Sequence, residues 1–82
     1  MILTEVYFAE MNKSYDFRLE EEVPVGQLIE DMVSRIAQVE RIPLSKSPGF
    51  FILCRKRDRR IFNHAASLAG QGVCSGDELM LI

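Results

Sequence analysis

The sequence predicts an α+β domain: a mixed four- to five-stranded sheet wrapped on one main helix, in the order ββαββ-turn-β. Three observations lead there. One long stretch carries apolar residues at helical spacing, several short stretches alternate apolar and polar residues as half-buried strands do, and 82 residues leave room for one core and not two. Residues 1–82 are therefore read as a single domain.

The helix is the stretch Val25 to Arg41. Val25, Leu28, Ile29, Met32, Val33, Ile36 and Val39 fall on one face at i, i+3, i+4, i+7 spacing, while Gln27, Glu30, Asp31, Ser34, Arg35 and Gln38 take the other. At about 1.5 Å per residue it spans roughly 25 Å, enough to cross a small sheet once. Pro24 suits a first-turn position, and Glu20, Glu21 and Glu22 lie where the helix dipole favours negative charge, but no Ser, Thr, Asp or Asn is placed to cap it. A helix of this length without a cap is marginal alone and depends on the surface it covers.

Ahead of it, Ile2 to Ala9 reads as a first strand with Ile2, Val6 and Phe8 on one side and Leu3, Glu5 and Tyr7 on the other; Thr4 interrupts the inward row. Glu10 to Ser14 reads as a hairpin loop. Tyr15 to Glu20 then alternates cleanly, with Tyr15, Phe17 and Leu19 inward and Asp16, Arg18 and Glu20 in solvent. Beyond the helix, Ile42-Pro43-Leu44 and Ser47-Pro48-Gly49 turn the chain. Phe50 to Cys54 is a short apolar run of inner-strand type, Arg55 to Arg60 a charged turn, and Ile61-Phe62 a brief return strand. Ser67 is placed to cap a single helical turn through Leu68 and Ala69 to Gly70. Gly76-Asp77 is a turn, and Glu78 to Ile82 a last strand with Leu79 and Leu81 facing one way and Met80 and Ile82 the other.

Composition narrows the function. No run of about 18 apolar residues is present, and Glu5 and Glu10 break any signal-peptide pattern, so the expected location is cytoplasmic. Cys54 and Cys74 lack metal-site spacing and are expected as small buried hydrophobes. Residues 1–40 carry nine acidic and three basic side chains, residues 41–82 three acidic and seven basic; a dipole of this kind does not suit a general nucleic-acid binder. Catalysis has no visible machinery either. His64 sits in a polar loop beside Asn63, the paired carboxylates fall at the helix start and on its wet face, and no GxGxxG or P-loop provides for a nucleotide. No enzyme activity, metal or cofactor is expected.

The element order is that of the ubiquitin-like β-grasp fold, and the closing stretch SLAGQGVCSGDELMLI (67–82) resembles the end of many ubiquitin-like domains. Within that superfamily YDFRLEEEVPVGQLIEDMV (15–33) is similar to the small YukD/EsaB-type proteins encoded with Gram-positive type VII secretion systems, in its Tyr-Asp-Phe strand and its Pro-Val helix start, and the chain shares their Gly-Asp-x-Leu-x-Leu ending. The resemblance implies an accessory protein that binds a component of the secretion machinery. Ubiquitin and its conjugated relatives extend a Gly-Gly tail past the last strand, whereas this sequence stops at Leu81-Ile82, so covalent conjugation is not expected. The ferredoxins that share the β-grasp core need four cysteines for their cluster, against two here.

A surface for such a partner is suggested by Arg55-Lys56-Arg57-Asp58-Arg59-Arg60, with five cations in six residues. One reading is a solvated hairpin tip that blunts a sheet edge. The other is a docking patch in which Arg55, Lys56, Arg57, Arg59 and Arg60 flank the outward apolar residues Ile52, Met80 and Ile82, comparable to the outward apolar patch with which ubiquitin meets its receptors. The basic turn also admits a rival reading, binding of RNA or another anionic surface such as a membrane. Oligomeric state stays open, since a strand edge is free to pair.

Overall fold

The computed structural model describes all 82 residues. β1 (Ile2–Phe8) and β2 (Lys13–Leu19) form an antiparallel hairpin, α1 (Val25–Glu40) follows, then β3 (Leu53–Arg55), β4 (Arg60–Ile61) and β5 (Glu78–Leu81). Short 3-10 turns occupy Pro48–Phe50 and Ala69–Gln71. The five strands make one sheet in the order β2-β1-β5-β3-β4. β5 runs parallel to β1 and antiparallel to β3, so the sheet is mixed, and β1 and β5, from opposite ends of the chain, lie side by side within it.

The inward rows pack as their alternation requires. Val6 and Phe8 of β1, Leu53 of β3 and Leu79 and Leu81 of β5 are fully buried against Ile29, Met32, Val33 and Ile36 of α1. Phe8 and Phe51 close the middle with rings 5.6 Å apart and tilted by 44°. Thr4, the interruption in the first strand, does point inward; it is buried, and its hydroxyl donates to the Phe17 carbonyl at 3.5 Å. A polar group at such a position is tolerated because it has that partner.

Val39 departs from the expectation. It lies on the apolar face, yet 74 % of it is exposed. Between the last helical turn and the edge strand β2 an open groove remains, lined by Val39 and Ile36 on one side and Tyr15 and Phe17 on the other. That end is held by polar contacts instead: the Glu40 carboxylate accepts from Lys13 Nζ at 3.0 Å and from the Tyr15 hydroxyl at 3.0 Å. Arg41 leaves the helix in the left-handed region (φ 55°), and Ile42 N–H closes onto the Ala37 carbonyl at 3.2 Å.

The uncapped start of α1 is satisfied from a distance. Pro24 is the N-cap residue, not the first helical one, and no acidic side chain lies in the first turn. Val25 N–H donates to the Ala66 carbonyl at 2.9 Å and Gly26 N–H to the His64 carbonyl at 3.0 Å. A Cβ on Gly26 would lie 3.4 Å from both the Cβ and the carbonyl oxygen of His64, so glycine lets this loop close on the helix. The loop is itself organised by Gln71, a buried side chain whose Oε1 accepts from Asn63 N–H (2.8 Å) and whose Nε2 donates to the carbonyls of Asn63 (3.1 Å), Ser67 (3.2 Å) and Ala66 (3.4 Å). Glu21, expected to serve the helix dipole, pairs with the N-terminal ammonium at 2.7 Å.

Candidate functional site

One face of the sheet is covered by α1; the other is not. On that outer face the ladders set residues side by side. Tyr7 pairs with Met80, Met80 with Cys54, and Cys54 with Ile61, giving one row across β1, β5, β3 and β4. One step along, Ile52 and Ile82 exchange two backbone hydrogen bonds of 2.9 Å each. The result is an apolar surface formed by Ile52 (40 % exposed), Ile61 (65 %), Ile82 (46 %) and the half-buried Met80. Cys54 lies in the same row but is covered, with its Sγ against the Met80 carbonyl at 3.6 Å; burial pushes its thiol pKa up, so it stays a neutral thiol. Cys74, expected to be buried as well, is exposed.

The basic run does not act as a unit. Arg55 belongs to β3 and points to the helix side, where it is buried. Its guanidinium donates through Nε and Nη2 to both Asp58 carboxylate oxygens (3.0 and 2.7 Å) and through Nη1 to the Gly72 carbonyl (3.1 Å), with the Phe62 ring 5.9 Å away. The Arg55 hydrogen bonds hold the Asp58 carboxyl at about 2, well below the usual range. Arg55 is therefore a clamp inside the hairpin and not part of a docking patch: an alternating strand sends every second side chain inward, cation or not. Arg57 Nε donates to Asp77 at 3.2 Å. Lys56 sits on the outer face, 3.6 Å from Glu78 and 5.7 Å from the centre of the Tyr7 ring.

Arg59 and Arg60 are exposed and make no ion pair within the chain. Arg59 takes a left-handed conformation (φ 55°) at the hairpin tip, and Arg60 pairs with Arg55 in the ladder, which puts it on the edge facing away from Ile61. Of the eight residues predicted, the structure brings together Ile52, Met80, Ile82 and Lys56. It ties Arg57 to Asp77, leaves Arg59 at the hairpin tip, turns Arg60 to the opposite face from Ile61 and withdraws Arg55. Ile61 is the addition: one of Ile61 and Phe62 has to face out, and only the pairing of Ile61 with Cys54 shows which. No group of three His, Cys, Asp or Glu side chains is arranged to hold a metal ion, and no helix is long and apolar enough to cross a membrane.

A five-stranded mixed sheet over one helix with this strand order is the ubiquitin-like fold, and solved structures match it. The ubiquitin-like domain of EccD5 from Mycobacterium xenopi superposes with a TM-score of 0.79 at 23 % identity, over 99 % of this chain and 91 % of that one. The ubiquitin-like domain of the Mycobacterium tuberculosis type VII secretion protein EccD1 gives 0.69 at 24 %, over 100 % and 99 %. A computationally designed protein based on human erythrocytic ubiquitin gives 0.74 at 18 %, over 100 % and 90 %. No curated protein matches the chain. The family is fixed by sequence: residues 3–81 match the model of YukD, a protein of the WXG100 protein secretion system, and the chain belongs to that family.

Proposed function

We propose that this chain is a cytoplasmic, non-enzymatic adaptor of a WXG100 secretion system, docking through the outer face of its sheet onto another protein of the machinery without being conjugated to it. The observation that carries the reading is the cluster Ile52, Ile61, Met80 and Ile82. Three exposed isoleucines and a half-buried methionine set side by side on one sheet face, with Lys56 on the same face, match the apolar centre and polar rim of a modest protein interface. Membership of the YukD family supplies the system in which the partner is to be sought.

Binding of RNA through the basic turn has less to work with. Arg55 and Arg57 are held by Asp58 and Asp77 and Lys56 lies near Glu78, which leaves Arg59 and Arg60 as the cations of the run free of ion pairs.

Affinity-tagged protein recovered from cells that carry the secretion system tests the proposal. The wild type should retain a machinery subunit and Ile61→Glu should lose it, with retention falling little as salt rises. Retention by Ile61→Glu and by Ile52→Glu would refute the docking face, and a steep loss of binding with salt would favour a phosphate partner.

A further inference from the structure

The opposite edge of the sheet carries an arrangement that the outer-face reading does not use. β2 is an edge strand of seven residues. Leu3 turns its N–H toward Ser75 Oγ (3.2 Å) and its carbonyl toward the Gly76 N–H (2.9 Å), away from β2. Alternation then sends the groups of Thr4 to Phe17, its partner across the hairpin, and leaves the N–H and C=O groups of Asp16 and Arg18 projecting from the free edge.

The side chains of these same two residues also lack partners. Asp16 faces Glu5 in the ladder and Glu5 faces Glu78, a row of three carboxylates whose one cation, Lys56, pairs with Glu78 at the far end, while Arg18 faces Leu3; neither Asp16 nor Arg18 makes an ion pair. Charges on an edge strand ordinarily discourage pairing. Here their signs alternate so that a two-fold axis through Phe17 makes them complementary.

We infer that β2 is a self-association edge, pairing antiparallel with β2 of a second copy about Phe17. In that register Asp16 of each copy lies opposite Arg18 of the other, twice over. On the helix side Phe17 meets Phe17, and Tyr15 meets Leu19. The neighbouring registers fail on charge: centring on Asp16 opposes two aspartates, and centring on Arg18 opposes two arginines and sets Asp16 against Glu20. The central pair is of the non-hydrogen-bonded kind, with Cα atoms about 4.5 Å apart, close enough for two aromatic rings to pack. An open groove of about 480 Å³ beside the edge, lined by Tyr15, Phe17, Ile36 and Val39, gives those rings a place and explains what the exposed Val39 would cover. The dimer leaves β3 and β4 at its two far ends, so both outer-face patches remain free.

Sedimentation of the wild-type protein, read together with two charge variants, tests the pairing. The wild type should show reversible dimerisation within a range up to about 1 mM, as fits a small edge-to-edge interface. Arg18→Asp should raise the dimer dissociation constant about tenfold or more, since both cross-pairs become repulsive. The swap Asp16→Arg with Arg18→Asp should restore it, which no neighbouring register predicts. Amide exchange gives a second reading: the Asp16 and Arg18 amides should gain protection as concentration rises, whereas that of Phe17, already paired with Thr4, should not change. A wild type that stays monomeric throughout, a dimer indifferent to Arg18→Asp, or a swap that fails to rescue a folded variant would overturn the inference, as would an edge that pairs only with a different protein.

Discussion

Replacing Gln71 by leucine keeps the size of the side chain and removes its polar end. The wild-type amide accepts from one backbone N–H and donates to three carbonyls of the loop 63–67, and that loop in turn receives the first two N–H groups of α1. Losing the acceptor leaves Asn63 N–H without its partner, a loss worth about 1–3 kcal/mol if water does not replace it, and the contacts from Nε2 add about 1 kcal/mol or less each because Ala66 keeps its bond from Val25. Apolar transfer of the leucine returns part of this. The net expectation is a destabilisation of about 2–4 kcal/mol, which for a domain of this size lowers the melting temperature by roughly 10–25 °C. Urea unfolding followed by circular dichroism measures it, with an unchanged m-value expected because the same surface is exposed. Gln71→Glu should cost at least as much at neutral pH, since it can still accept from Asn63 but buries an unpaired carboxylate against three carbonyl oxygens. A Gln71→Leu protein within about 0.5 kcal/mol of wild type would refute the claim that Gln71 organises the start of the helix.

Ile36→Asp should unfold the domain, whereas Val39→Lys, on the same face but mostly exposed, should shift stability by less than about 0.5 kcal/mol; equal effects in chemical unfolding would refute the observed end of the packed face. A thiol reagent should label Cys74 rapidly and Cys54 only on unfolding, because Cys54 is buried and its thiolate disfavoured; comparable labelling rates in native buffer would contradict the covered position beneath Met80. Asp58 has a folded-state pKa of about 2 against 3.8 unfolded, so its bond to Arg55 stabilises the protein above the unfolded value and is lost as pH falls through the folded one. Glu40 and Asp77 are shifted in the same direction. Stability should therefore decline between about pH 4 and pH 2, less steeply in Asp58→Asn; parallel acid-unfolding curves for the two proteins would count against the clamp.

The helix, the inward rows of β1, β2 and β5, and the outward set Ile52, Met80 and Ile82 are legible because each follows from a period of 3.6 or 2 in a single segment. What escapes the sequence depends on contacts between segments distant along the chain. Val39 fits the helical period, and only the width of the sheet decides that nothing covers it. Arg55 reads as one more cation in a basic run; that it enters the core side follows from β3 continuing past the apolar run to Leu53–Arg55, so that the inward turn after Leu53 falls on the arginine. The cap of α1 is absent from the residues around Pro24 because its acceptors are the carbonyls of His64 and Ala66, far along the sequence. Cys74 reads as buried because cysteine is apolar, but the turn 74–77 closes with its backbone N–H on the Asp77 carboxylate at 2.9 Å and leaves the side chain outside. The site is therefore half legible: its apolar part comes from alternation, and its charged part depends on the pairing of each cation.

The central claim is that the chain works by docking the outer face of its sheet onto a partner protein. A photoreactive amino acid placed at Ile61, with a control at Glu30 on the exposed side of α1, addresses it in cells that carry the secretion system. Irradiation should cross-link position 61 to a protein of the WXG100 machinery and leave position 30 unlinked. Cross-links from position 30 and none from position 61 would contradict the account.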